Sequence, residues 1–524
     1  MKRTLLLLTT LLALTAASRA ELKLPAIIGD QMVLQQKQAD PIWGWDTPGT
    51  KVSVTFAGQT KTATADKDGK WSVKLDPMPA NATAQAMTIK GSSARTLHDI
   101  LIGEVWMCSG QSNMGFTLGS DWKGDLEALT ANLPGLRLVS VPQVGTQELQ
   151  NDFKGQWVTC KPDNCKSFSA VGFFFGRYLH QVLGVPVGLI NNAWGGSAAE
   201  AWVRRSSLEK DPRFKALMEK TVQQEANAIT DKAKAQYTAA MEKWKEQAAK
   251  AKAANQLPPR APSSPESWLK GNARPGNIFD GMVNPTLGYG MKGVIWYQGE
   301  SNASRAYEYA QLFPYMIEQW RAEWKQGDFP FYWVQLADYM AEKPTPGESN
   351  WAELRETQTK TLKLPHTGQA VIIDLGESND IHPKNKTDVA ARLARWALAK
   401  DYGVTIPYRS PEFKSIAIAG NHVAVTLDCF GGVLRTYDVA EVKGFAVCGQ
   451  DKVWQWAQAK ITGNDKLDVW SDQVAAPVAV RYAWADNPVC NLRTKDGLPV
   501  TPFRSDDFDM TTMPKAPAPA AAQH

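Results

Sequence analysis

Between residues 101 and 405 short apolar runs alternate with longer amphipathic stretches. "GLRLVSV", "PVGLINNAWGG", "KGVIWYQGES", "PFYWVQLAD" and "QAVIIDLGE" read as strands, whereas "SAVGFFFGRYLHQVLG", "AYEYAQLFPYMIEQWRAEWKQ" and "TDVAARLARWALAKDYG" carry helical spacing. Strands separated by helices do not close into tight hairpins, so the alternation predicts an α/β fold, a parallel sheet wrapped by helices. In such sheets ligands bind outside the carboxyl ends of the strands. The residues that follow each strand are therefore where chemistry is sought.

The flanks have a different pattern. From residue 21 to 100, short apolar runs alternate with turns, as in "DPIWGWDTPGTKVSVTFAGQ", which predicts a small β domain. Strand patterns return over residues 406–510, for example "SIAIAGNHVAVTL" and "APVAVRYAW", and predict a second β region of sandwich or jelly-roll type. Residues 206–267 are rich in Ala, Lys and Glu and close on "LPPRAPSSPES"; they read as a helical excursion on the surface, its charges a solvated face. The tail at 511–524, ending "PKAPAPAAAQH", lacks the apolar content to fold.

Residues 1–20, "MKRTLLLLTTLLALTAASRA", combine Lys2 and Arg3, a short apolar core and small residues before a cleavage point, as in a secretory signal peptide. The expectation is a secreted or periplasmic protein with no membrane attachment once the signal is removed. The net charge of +5 is small for 524 residues and no basic block alternates with aromatics, which argues against nucleic acid. Export permits disulfides, and "CKPDNC" is turn-like enough to close a bridge between Cys160 and Cys165. Metal-ligand spacings such as CxxC or HExxH are absent, and Cys108, inside an apolar strand, reads as a buried thiol.

Six histidines narrow the search for a base. His524 lies in the tail, His98 and His422 in the flanking β regions, His180 on a helix and His366 in a loop ahead of a strand. His382 follows the strand "QAVIIDLGE" in the loop "SNDIHPKNK", with Asp380 two residues before it. Ser112 follows another strand in "GEVWMCSGQSNMGF". A nucleophile, a base and an acid that orients the base are what a serine hydrolase requires. Capping and loop hydrogen bonds explain the same residue types, so the three alone leave the question open. Oxyanion donors are the further requirement. Gly195 and Gly196 follow "VGLINNAW", where backbone can approach a substrate closely, and "WYQGESNA" offers Gln298 and Asn302 after a third strand.

Four such strand ends in order, "CSGQSNM", "WGGSAAEAW", "GVIWYQGESNA" and "DIHPKNK", resemble the sialate O-acetylesterase family, a branch of the SGNH hydrolases that removes acetyl groups from sugars. The resemblance takes in "IIGDQMVLQQ" and "FDGMVNP" and spans about residues 24–400, weakening through the helical excursion. It implies an SGNH-hydrolase-like sheet, Ser112 as nucleophile, His382 as base and Asp380 as its acidic partner. It further implies an oxyanion hole from the Ser112 and Gly196 amides and a side-chain amide of the third motif, with no metal or organic cofactor. The chain departs from the superfamily pattern twice. Asn379 stands where the Asp three before His is expected, and the third motif is Gly299-Glu300-Ser301-Asn302 rather than GxND, so Gln298 competes with Asn302 as donor and Glu300 is an alternative acid. Position 114 is Met, which excludes the GxSxG elbow of lipase-like hydrolases.

Gln111, Asn192, Trp194, Glu300 and Arg355 lie near the motif loops and are the candidate substrate contacts. Twenty tryptophans and thirteen tyrosines suit sugar rings. Sialic acid would call for an arginine in the pocket and a neutral hemicellulose such as acetylated xylan or xyloglucan for an open aromatic groove; both remain open. The reading from another class is a catalytically inactive secreted glycan-binding protein.

Overall fold

The computed structural model describes residues 21–514. The signal peptide expected at 1–20 lies outside the described residues, as do residues 515–524 of the tail expected to lack structure from 511; the start of that tail is instead held in place, Thr511 and Thr512 donating to the Glu353 carboxylate.

The predicted parallel sheet is present. Its strands run in the order Thr367–Ala370, Phe331–Val334, Gly293–Tyr297, Ala94–Gly110, Val187–Ala193 and Leu133–Ser140, each parallel to its neighbours, with Val158–Cys160 antiparallel at the edge. Helices cover both faces, which is why Gly293–Tyr297 and Phe331–Val334 are buried at every position. Side chains alternate between two cores. Trp296, Phe331 and Trp333 pack with Phe313 and Trp320 of the helix Ala306–Trp324. Ile295, Tyr297 and Tyr332 pack on the opposite face with Phe175 and Leu393 of the helices Ala170–Leu183 and Lys386–Asp401.

The strand Ala94–Gly110 belongs to two structures at once. Over its first half it pairs antiparallel with Asn81–Lys90 of the N-terminal β region, and then parallel with Val187–Ala193 from Glu104 and with Gly293–Tyr297 from Trp106. Its first residues are largely exposed and those from Leu101 on are buried. The chain runs outward from this strand on one side, to Leu133–Ser140 and Val187–Ala193, and on the other side through Gly293–Tyr297. The carboxyl end at Gly110 is therefore a topological switch point, where a crevice opens.

Among the described residues the C-terminal strands form two four-stranded sheets and a two-stranded one, Leu434–Thr436 with Leu492–Thr494. Val425, Leu467 and Val469 of one four-stranded sheet share a core with Val447, Val480 and Tyr482 of the other, a sandwich arrangement. In the helical excursion, Asp231–Ala253 buries no residue, as a solvated helix should. Lys215–Ala228 differs: it buries Leu217, Met218, Thr221 and Ala228, and Glu225 pairs with Arg205 and Arg274.

All six cysteines are free thiols, so the bridge allowed by "CKPDNC" is not formed: Cys160 faces the Ala131 carbonyl and Cys165 the Pro162 carbonyl, each at 3.7 Å. Burial pushes the Cys108 thiol well up, in keeping with an inert core residue. No helix among the described residues is long and apolar enough to cross a membrane.

Candidate active site

The main chain turns sharply after Gly110. Its φ is +135°, and a β-carbon there would stand 2.2 Å from the Tyr297 carbonyl oxygen, so only glycine fits. Gln111 then donates its amide to the Tyr297 carbonyl at 2.9 Å, tying the turn to the neighbouring strand. Ser112 opens the single helical turn Ser112–Gly115, where first-turn N–H groups have no intrahelical acceptor. Its amide makes no hydrogen bond within the described residues. Its hydroxyl lies 2.8 Å from Nε2 of His382.

His382 reaches this point from the loop before the helix Lys386–Asp401. Asp380 organises that loop: its Oδ1 accepts the His382 amide at 2.9 Å, and its own amide donates to the Glu377 carbonyl at 3.2 Å. The same Oδ1 is 3.5 Å from His382 Nδ1, a separation at which attraction is chiefly Coulombic. Glu300, the alternative acid, bonds to Asn113 rather than to the imidazole.

The second motif closes over the serine. Trp194 donates its amide to the Gly110 carbonyl, and a β-carbon on Gly195 would meet the Ser112 β-carbon at 3.2 Å. Gly196 adopts φ +73°, is exposed and leaves its amide without an acceptor among the described residues. Asn272 holds this loop from the returning end of the helical excursion: its Nδ2 donates to the Gly195 carbonyl at 2.5 Å and its carbonyl accepts the Ala198 amide.

In the third motif the two candidate amides differ. Gln298 spends both Nε2 hydrogens, on the Ser197 carbonyl and on Asn302 Oδ1. Asn302 Nδ2 makes one bond, to Glu200 at 3.0 Å, and keeps a second hydrogen. Gln111, buried, accepts the amides of Gly299 and Ser301 and so ties the first motif to the third.

Beneath the serine lies a polar cluster in which Glu300 meets two residues absent from the sequence-based candidates, Asn113 and Lys386. Asn113 donates to Glu300 Oε1 at 2.6 Å and to the Ile381 carbonyl at 3.0 Å, and accepts from Lys386 Nζ at 2.5 Å. One side chain thus joins the Ser112 turn, the third motif and the residue preceding His382. Burial lowers the Lys386 pKa to about 7, against the pull of Glu300 and Asp121, and raises that of Glu300. Asn113 and Lys386 sit inside "GQSNM" and "HPKNK", directly after Ser112 and four residues after His382; that closeness to the candidate nucleophile and base was the available signal.

Not every candidate comes to the site. Arg355 is fully buried, its guanidinium saturated by the carbonyls of Leu336, Ala337, Ala485 and Asp486. It clamps the C-terminal region to the sheet and is corrected from substrate contact to structural staple. Asn192 is also sealed in, donating to the Met282 carbonyl. Trp194 is half-buried beside the glycine loop. Among the described residues no group of three or more His, Cys, Asp or Glu side chains is arranged to hold a metal ion.

A family model described as "Carbohydrate esterase, sialic acid-specific acetylesterase" matches residues 260–399. The chain is 30% identical to the mouse sialate O-acetylesterase, over 91% of this chain and 93% of that protein, and 29% identical to the human one, over 91% of each. The solved structure of a carbohydrate acetylesterase from Xanthomonas citri superposes with a TM-score of 0.78 at 37% identity, covering 93% of this chain and all of the other. The chain belongs to the sialate O-acetylesterase family, and is a carboxylic ester hydrolase acting on carbohydrate.

Proposed function

We propose that this protein removes acetyl groups from sugar hydroxyls through an acetyl-enzyme on Ser112. The observation that carries the proposal is the 2.8 Å contact between the Ser112 hydroxyl and His382 Nε2 at a sheet switch point. His382 takes the hydroxyl proton as Ser112 attacks the acetyl carbonyl, then gives it to the departing sugar oxygen. Water repeats the sequence on the acetyl-enzyme and releases acetate. Negative charge on the carbonyl oxygen is met by the Ser112 and Gly196 amides and by the remaining Asn302 hydrogen, and Asp380 stabilises the imidazolium across 3.5 Å.

For the sugar, an acetylated neutral chain such as xylan or xyloglucan is favoured over sialate, because the arginines near the motif loops are committed. Arg305 pairs with Glu200 and Glu308, Arg274 with Glu225, and Arg355 is buried. The N-terminal signal supports export, and the division into a β domain (21–100), a hydrolase domain (101–405, with the excursion at 206–267) and a C-terminal β region (406–510) remains our reading of the chain.

Acetate release from acetylated xylan, xyloglucan oligosaccharides, acetylated sialic acid and an aryl acetate tests the proposal. Release by wild type and not by Ser112→Ala is expected, with hemicellulose ahead of sialate. Binding without release by either protein would leave the glycan-binding reading.

A further inference from the structure

The helical excursion reaches the active site. A cleft of about 380 Å³ adjoins the glycine loop, and its walls come from two parts of the chain. Gly196 and Ser301, from the second and third motifs, line one side; Leu217, Lys220 and Gln224 of the helix Lys215–Ala228, with Trp268, line the other. The volume falls within the ~300–1,000 Å³ of small-molecule sites.

The excursion's wall is amphipathic. Leu217 is buried and forms part of the floor. The Lys220 and Gln224 side chains are exposed on the helix and donate no hydrogen bond among the described residues, Lys220 lying only in the field of Glu308, so their N–H groups can reach a ligand. Trp268 is half-buried and presents aromatic surface. The cation deeper in the cleft, Arg305, is already neutralised by Glu200 and Glu308. An aromatic face with several hydrogen-bond donors and no net anionic character suits a hydroxyl-rich ring.

The wall is also held in place. Glu225, one residue beyond Gln224, pairs with Arg205 and Arg274, and Arg274 Nη1 donates to the Leu269 carbonyl, the residue after Trp268. Asn277 Nδ2 donates to the same carbonyl and to that of Gly271. Asn272 then binds the Gly195 carbonyl. Helix, tryptophan and glycine loop are one hydrogen-bonded assembly, so a ligand held by this wall lies beside the glycine loop that packs on Ser112.

We propose that the excursion is a glycan subsite: Trp268 stacks on a second ring of an acetylated oligosaccharide while Lys220 and Gln224 bond its hydroxyls, so that the enzyme selects chains over single sugars. This rests on the esterase reading above.

The test compares kcat/KM for an acetylated xylan or xyloglucan oligosaccharide with that for an aryl acetate, which has no second ring. Trp268→Ala is expected to lower the oligosaccharide-to-aryl ratio about tenfold, through KM. Lys220→Ala and Gln224→Ala, at exposed positions, are expected to lower it about threefold each, the scale of one neutral hydrogen bond. If Trp268→Ala does not fold, those two variants decide the matter. An unchanged ratio in the variants, or a wild type that hydrolyses aryl acetate but no oligosaccharide, overturns the subsite. A wild type inactive on aryl acetate as well overturns the esterase reading instead.

Discussion

Asp380→Asn isolates the electrostatic contribution of the acid. The asparagine keeps an oxygen to accept the His382 amide at 2.9 Å, so the loop is retained and only the charge is lost. The charge acts across 3.5 Å on Nδ1, with both side chains partly exposed, at 45% for Asp380 and 36% for His382. Coulomb's law at that separation gives about 1.2 kcal/mol at the dielectric constant of water and about 2.4 kcal/mol at half of it. Because the imidazolium is fully charged only as the acetyl carbonyl is attacked, the loss appears in kcat, at roughly 10- to 50-fold. A buried triad aspartate contributes far more, about 10⁴-fold. Aryl acetate turnover by wild type and Asp380→Asn at low and high ionic strength makes the comparison. Salt should shrink the difference, since an exposed pair is screened. A salt-independent loss near 10⁴-fold would refute the reasoning, and so would no loss at all.

Three further outcomes are expected. Gly195→Ala puts a methyl group 3.2 Å from the Ser112 β-carbon and should lower kcat about three- to tenfold by displacing the hydroxyl, with the thermal midpoint nearly unchanged. Asn302→Ala should cost about 10²-fold or more in kcat, whereas Gln298→Ala, whose amide hydrogens are internally spent, should register chiefly as about 1–3 kcal/mol of lost stability. Lys386 has a pKa of about 7 in the folded chain and about 10.4 when unfolded, so between those values the unfolded state holds more protons and wild-type stability rises with pH. Denaturant unfolding across that window should show the rise, at most about 1.4 kcal/mol per pH unit, and Lys386→Met should abolish it.

The parts of the site that were legible in the sequence are those set by local pattern. Ser112 and Gly195 each follow a buried strand within a few residues, and His382 stands out once the other histidines are placed. What was not legible depends on distant packing. The helix carrying Arg355 looks like one with polar faces, and its guanidinium is buried only because Ala485 and Asp486 close over it from the C-terminal region. Lys386 reads as one more lysine in "HPKNK"; its burial follows from Phe116 and Tyr297, whose rings lie 4.8 and 5.2 Å from Nζ. The change of pattern near Leu101 is real, but it marks where one strand passes from a half-covered to a fully covered sheet. Likewise the excursion's composition predicts helix without revealing that its first helix packs beside the glycine loop.

Labelling with a serine-directed fluorophosphonate, followed by peptide mapping, tests the central claim most directly. The account predicts a single modification on Ser112 that accompanies loss of esterase activity, and that slows in His382→Ala in step with ester turnover. Complete inactivation with the label on another residue, or esterase activity surviving in Ser112→Ala, would contradict it.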